Sequence, residues 1–274
     1  MTDFGLKVRM AVVGTILFGF YLLVATFGLM MLGPGAWPIV LVGVLILPVI
    51  QYKIGKWAAL RGAEDMPESG QYQEIHFMTE RLSQKMGIDK PRLMVMEMGT
   101  PNAFATGRKG AGVVVVSTEL IQLLEKDELE GVVAHELAHI KNRDVVAMVV
   151  GSSIAMMVGY VAYFAVLFGG ERNIGTYVVA MVASMLANML VMIFVLAISR
   201  YREYVADDDA RQAIGRGDPL ARALEKISKG AEGRESKLED SVNAMAIFNA
   251  DKSLMAQLFA THPPAEKRIE KLRS

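Results

Sequence analysis

Four stretches of the chain are almost purely apolar, the segments between them are mixed, and this alternation divides the molecule before any motif is considered. Met10 to Leu32 carries no charge and is long enough to cross a hydrocarbon core about 30 Å thick at about 1.5 Å per residue. It exceeds a signal-peptide core and no small-residue cleavage site follows it, so it reads as a retained span. Gly33-Pro34-Gly35 predicts a tight turn. Ala36 to Ile50 is a shorter apolar run, extended by Trp37 and Tyr52 as interfacial aromatics and by Lys53 as a snorkelling cation. A second span is the better reading of it, and an interfacial hairpin is the alternative. Val145 to Phe168 and Thr176 to Ser199 flank the short connection Gly169 to Gly175 and predict a transmembrane hairpin rather than two buried core helices.

The chain therefore divides into two N-terminal spans (1–52), a first polar segment (53–144), a hairpin (145–199) and a second polar segment (200–274). In the first polar segment, Ile75, Met78, Leu82 and Met86 recur at helical spacing over Gln71 to Met86. Arg92 to Met98 and Gly112 to Ser117 predict strands, the second a valine run, with a turn at Gly107 to Gly110. Ser117 is positioned to cap a short helix through Leu124. A further helix is predicted over Asp127 to Asp144, with Asp127 as N-cap, Glu130 three residues on, and Leu129, Val132, Val133, Leu137 and Ile140 as its apolar positions. Beyond the hairpin, Tyr201 to Ile214, Pro219 to Ser228 and Ser241 to Phe259 have helical patterns, separated by a charged, Gly-rich loop at Lys229 to Asp240.

Charge orients this scheme. Lys7 and Arg9, Lys53, Lys56 and Arg61, Lys141 and Arg143, and Arg200 and Arg202 all flank the spans on one side, and the opposite connections are nearly free of basic residues. The positive-inside rule then makes the termini and both polar segments cytoplasmic, in a multi-pass protein of the cell membrane. Composition agrees with a bilayer as partner: 53% of the 274 residues are hydrophobic and the formal net charge is zero. There is no cysteine, hence no disulfide framework. Basic residues are scattered without an aromatic-basic stripe, which argues against a nucleic-acid partner.

Of the four histidines, two fall at metal spacing, in His135-Glu136-Leu137-Ala138-His139. On a helix, residues i and i+4 lie one turn apart, so both imidazoles reach one zinc ion while Glu136 reaches a water beside it. An ordinary amphipathic helix with two histidines is the alternative reading of those five residues. A catalytic zinc needs a third protein ligand and an open position. Asn142 and Val145 stand where a later Gly and His would be in the class with three histidine ligands, which excludes that class. A carboxylate from a later helix remains, and Glu203, Asp207, Asp208 and Asp209 are available. Glu203 and Asp207 share a face, so one can bind metal while the other accepts a hydrogen bond from a ligating histidine. A solvated acidic face is the alternative.

In their order along the chain, Asn102-Ala103-Phe104-Ala105, His135 to His139 with Asn142-Arg143-Asp144, the apolar hairpin, Glu203-Tyr204-Val205-Ala206-Asp207, and His262-Pro263-Pro264 resemble the membrane zinc metalloproteases that include the HtpX heat-shock protease and the type I CAAX prenyl proteases, with HtpX-like proteins the nearer match. The resemblance implies a mainly α cytoplasmic protease domain of the zincin type, with a small β-sheet, on four transmembrane helices. It implies one zinc ion per chain held by His135, His139 and Glu203, with Glu136 as catalytic base and Asp207 orienting a histidine ligand. It makes His262 a candidate for stabilising the oxyanion, with Arg268 a weaker one, and leaves His76 structural or at the surface. Asn102 to Ala105 and the valine strand, Val113 to Val116, would hold the substrate, an extended peptide adding to the strand's edge. The implied activity is hydrolysis of unfolded or misfolded membrane proteins in quality control under stress. Three rival readings are a narrower CAAX-type processing protease, a non-catalytic zinc-binding membrane adaptor and a small transporter. An intact Glu136 argues against the adaptor, and spans without ionisable residues argue against the transporter.

Overall fold

The computed structural model describes residues 4–33, 35, 37–171, 173–229 and 263–274. His262, the predicted helix Ser241 to Phe259 and nearly all of the predicted loop Lys229 to Asp240 lie outside the described residues. The chain is mostly helical, with one small mixed sheet. It separates into two units, one formed by Met1–Gly55 and Ala147–Tyr201, the other by Lys56–Val146 and Arg202–Ser274.

The first unit is built from the apolar parts of four helices, whose residues 56–59, 144–146 and 202–214 belong to the second unit. α1 spans Phe4–Leu32, α2 Trp37–Ala59, α6 Asp144–Gly169 and α7 Ile174–Ile214. Among the described residues, α6 and α7 are long and apolar enough to cross a membrane. They meet through Ile154, Ala155, Met157, Val158, Val191 and Val195, with Phe20, Tyr21 and Val24 of α1 packed against that cluster. α7 corrects the sequence reading. Thr176 to Ser199 and Tyr201 to Ile214 are one unbroken helix, because Arg200 and Arg202 end the apolar pattern without supplying a helix stop.

In the second unit a sheet is backed by helices. β1 (Glu64–Asp65), β2 (Arg92–Met96), β3 (Ala103–Thr106) and β4 (Val113–Ser117) are ordered β1-β2-β4-β3. β2 and β4 are parallel, and the outer pairs are antiparallel. The valine run is explained by burial on both faces. Val114 and Val116 join the core with Leu82, Leu93, Val133 and Leu137, whereas Val113 and Val115 pack with Leu60, Met94 and Phe104. β4 is paired on both sides, so the predicted peptide addition cannot use it. Among the described residues the sheet's edges are the two-residue β1 and β3, and the short Ala103–Thr106 segment of β3 has no pattern to announce it as a strand.

A 3₁₀ turn at Gly70–Tyr72 leads into α3 (Gln73–Met86), which buries Ile75, Met78 and Leu82 and ends at Gly87, in the left-handed region at φ 67°. His76 is buried there, its Nε2 3.1 Å from the Met66 carbonyl oxygen. Gly107, at φ 101°, closes the β3–β4 turn where a Cβ would lie 2.3 Å from the Ala111 carbonyl oxygen. α4 (Thr118–Leu123) starts at Ser117, whose Oγ accepts from the Leu120 N–H at 3.0 Å.

α5 spans Lys126–Asn142 and begins two residues before its predicted start. Its N-cap is Glu125, in a capping box with Glu128, whose Oε2 accepts from the Glu125 N–H at 2.8 Å. Asp127 instead pairs with Arg222 of α8, a helix over residues 218–229. Arg222 and Lys226 reach the fully buried Glu128 at 3.1 and 2.7 Å, tying α8 to the start of α5. α9 (Ala265–Arg273) buries Arg268 and Leu272.

Candidate metal centre

Four helices, α5, α6, α7 and α9, place the site's side chains. On α5, His135 and His139 are one turn apart, and their rings meet edge to face with centroids 4.6 Å apart. Both Nε2 atoms point to one place, 3.1 Å from each other. α7 brings Glu203 to the same place, with Oε2 3.4 Å from His135 Nε2 and Oε1 3.6 Å from His139 Nε2. The other predicted acids of α7 are engaged elsewhere: Asp208 bonds Arg211 and Gln212, while Asp209 bonds Lys141 and Asn142.

The opposite ring nitrogens are held by carboxylates. His135 Nδ1 lies 3.0 Å from Asp207 Oδ1, and His139 Nδ1 lies 2.7 Å from Asp144 Oδ2. A carboxylate accepts and never donates when ionised, so each Nδ1–H donates outward and each Nε2 faces inward. Each carboxylate in turn carries an arginine. Arg268 of α9 donates to Asp207 through Nε at 2.8 Å and Nη2 at 2.7 Å and reaches Glu203 Oε2 at 3.1 Å. Arg202 of α7 donates to Asp144 Oδ1.

In the sequence Asp144 is part of the Asn142-Arg143-Asp144 motif, which by itself gives it no task. At five residues beyond His139 it lies outside the i±3 and i±4 neighbours of a continuous helix. Arg143, the C-cap of α5, adopts φ 58° and ψ 38°, and this left-handed residue turns the chain so that the first residue of α6 folds back onto the imidazole. A non-glycine residue in that region is the signal worth following. The N-terminus of α6 also suits a carboxylate, through its unpaired amides and positive end of the helix dipole.

Burial sets the electrostatics. His135, Glu203, Asp207 and Arg268 are 6%, 4%, 3% and 6% exposed. Burial works to lower the affinity of His135 for a proton, but hydrogen bonds to Asp207 and Glu203 outweigh it and push its pKa up to about 9. Glu136 is pushed above the usual carboxylate range by burial first and by Glu203, against the pull of His139, His135 and the Ala105 backbone N–H. Asp207 ends below the usual range: burial opposes this, and its bonds to His135 and Arg268 prevail.

The donor set fits a small divalent cation. Ligands held about 2.0–2.2 Å from a tetrahedral centre are about 3.3–3.6 Å apart. The two Nε2 atoms and the Glu203 oxygens are spaced 3.1, 3.4 and 3.6 Å apart, and the carboxylates at both Nδ1 atoms leave Nε2 as the nitrogen that loses its proton on ligation. Glu136 also puts an oxygen within 4.8 Å of the histidine nitrogens, but Glu203 is the carboxylate that spans both of them.

The sequence profile of peptidase family M48 matches residues 69–274, which include all of these side chains. The chain belongs to peptidase family M48. Within M48 it is of the HtpX type: it is 51% identical over 290 residues to a protease HtpX homolog of Halobacterium salinarum, covering 97% of this chain and 100% of that one. It is 41% identical over 210 residues to the protease HtpX homolog of Pyrococcus abyssi, covering 73% and 72% of the two chains. The crystal structure of S. mikatae Ste24p has a similar fold, with a TM-score of 0.59 at 17% identity, over 98% of this M48 chain and 66% of that chain. The protein is therefore a metalloprotease carrying apolar helices long enough to cross a membrane.

Proposed function

We propose that this protein is a zinc-dependent endopeptidase that cuts unfolded segments of misfolded membrane proteins at the cytoplasmic face of the cell membrane. The observation that carries the reading is the convergence of His135 Nε2, His139 Nε2 and Glu203, with Glu136 beside them on the same turn of α5. His135, His139 and Glu203 are the residues that would hold the zinc, and a zinc ion there supplies a Lewis acid for the scissile carbonyl and acidifies a water towards a pKa of about 7.

The remaining chemistry belongs to the chain. Glu136 takes the proton of the attacking water and passes it to the leaving amine, a task typically worth about 10² to 10⁴-fold. Asp207 and Asp144 keep the imidazoles oriented through both transfers. Among the described residues β3 is an edge strand, and it lies against α5, so an extended peptide pairing with Asn102 to Ala105 would run past Glu136. Recognition through backbone hydrogen bonds tolerates many sequences, as removal of misfolded chains requires. For the oxyanion donor we propose His262, with Arg268 the weaker candidate, its Nη2 being 3.3 Å from His135 Nε2.

Four spans, with both polar segments cytoplasmic, follow from the four apolar runs and the basic residues that flank them. The test is digestion by the zinc-loaded, detergent-solubilised chain of two substrates in parallel, an unfolded membrane-protein fragment and a short prenylated peptide. Cleavage of the fragment at several sites supports this reading. Cleavage of the prenylated peptide alone overturns it in favour of a CAAX-type processing protease.

A further inference from the structure

We propose that Arg202 is a positioning residue for the metal centre, acting on His139 through Asp144. The inference rests on the reading of His135, His139 and Glu203 as metal ligands. Asp144 divides its two oxygens, Oδ2 accepting from His139 Nδ1 at 2.7 Å and Oδ1 accepting from Arg202. All three side chains are largely shielded from water, at 15%, 8% and 14% exposed for His139, Asp144 and Arg202. A carboxylate fixed at only one oxygen can swing about its own bond, and fixing the second oxygen sets its plane. The imidazole follows that plane, because its Nδ1–H must stay aligned with Oδ2.

The arrangement repeats at the other imidazole, where Arg268 grips both oxygens of Asp207, the partner of His135 Nδ1. The two halves differ in where the arginine comes from. Arg268 is on α9, whereas Arg202 precedes Glu203 on α7. One turn of α7 thus supplies a ligand and also the guanidinium that sets the orientation of the imidazole on α5. A shift of α7 along its axis would move both together, which makes the metal site sensitive to the register of this helix.

The experiment is a zinc titration against a competing chelator, using the full-length chain in detergent with Glu136→Gln present throughout to prevent self-digestion. Arg202→Gln is expected to weaken zinc binding by about tenfold, and Asp144→Asn by about 10 to 100-fold. Arg202→Lys restores the charge and is expected to recover most of the loss. The double variant Asp144→Asn/Arg202→Gln is expected to bind no more weakly than Asp144→Asn alone, since Arg202 has no route to His139 once the carboxylate charge is gone. Arg202→Gln binding zinc within twofold of the parent overturns the inference and leaves the metal reading intact. A parent chain that takes up no zinc overturns both. Should Arg202→Gln alone not fold, because it strands the Asp144 charge, Asp144→Asn decides: a loss of about tenfold or more in zinc binding supports the inference, and binding within twofold of the parent overturns it.

Discussion

Replacing Asp207 with Asn removes one charge from a group of four buried side chains, and its consequences can be worked out contact by contact. Asp207 accepts from His135 Nδ1 at 3.0 Å and from Arg268 at 2.8 and 2.7 Å, all at a site 3% exposed. Asn keeps the shape but offers one acceptor oxygen and an NH₂ that points a donor at another donor. Arg268 is left with Glu203 Oε2, at 3.1 Å, as its remaining carboxylate in the site, and so competes with the metal for that ligand. Breaking a buried ion pair from one side costs about 3–5 kcal/mol. At about 2–4 °C per kcal/mol the melting temperature of the metal-free protein should fall by on the order of 10 °C. Loss of the imidazole's support, together with the freed guanidinium, should weaken zinc binding by about 10 to 100-fold. Thermal unfolding without metal reads the first effect and chelator competition the second. Adding Arg268→Met should restore much of the melting temperature and leave the zinc affinity low, because the stranded charge is gone and the unsupported imidazole remains. Asp207→Asn with wild-type melting and wild-type zinc affinity would refute the reasoning.

The pH dependence follows from the shift of His135. Its pKa rises from 6.5 to about 9 in the metal-free fold, so the fold gains proton-linked stability that is fully present below pH 6.5 and lost as pH rises through about 9. The same proton must leave when metal binds, so apparent zinc affinity should climb up to about tenfold per pH unit below pH 9. Calorimetry in buffers of different ionisation enthalpy should detect about one proton released per zinc near pH 7.5, and no release would contradict the assignment. Gly131→Ala should lower the melting temperature, because the added Cβ would lie 2.8 and 2.9 Å from the backbone N and Cα of Leu220. Overpacking at about 1–3 kcal/mol outweighs a helix-propensity gain of about 1 kcal/mol, whereas Gly55→Ala on α2, with open space at its Cβ, should be neutral or stabilising. Ser117→Ala removes the cap of α4 and the acceptor, at 2.9 Å, of the Asn102 N–H at the start of β3. It should cost about 1 kcal/mol and raise KM more than it lowers kcat in a peptide assay, and an unchanged KM would place the substrate elsewhere.

The parts of the fold and site that were legible in the sequence are those built on regular periods. The spacing of His135 and His139, the apolar face of α3, the valine strand and the Ser117 cap all follow local rules, and each lies where those rules put it. The rest depended on departures from them. The start of α5 lies two residues before its expected place because Glu125 is not among the usual capping residues and Asp127 is, and it is Glu125 that forms the box with Glu128. β3 is too short for its alternation to register, and its importance comes from being an edge strand among the described residues, a property of topology. Asp144 was hidden because it reaches His139 only through the left-handed Arg143, which no helical spacing anticipates. Arg202 reads as a span flank and Arg268 as a weaker oxyanion candidate on a terminal helix, and burial against carboxylates from distant parts of the chain is what gives both their place beside Asp144 and Asp207.

The central claim is that Glu136 works as a base beside a metal held by its neighbours on α5 and by Glu203. The most direct measurement compares the zinc-loaded wild-type chain with Glu136→Gln on an unfolded protein substrate, with zinc content determined for both. Equal zinc in the two proteins, cleavage by the wild type, and a loss of at least about 10²-fold in the variant are expected. Equal zinc with undiminished cleavage by Glu136→Gln would contradict the claim.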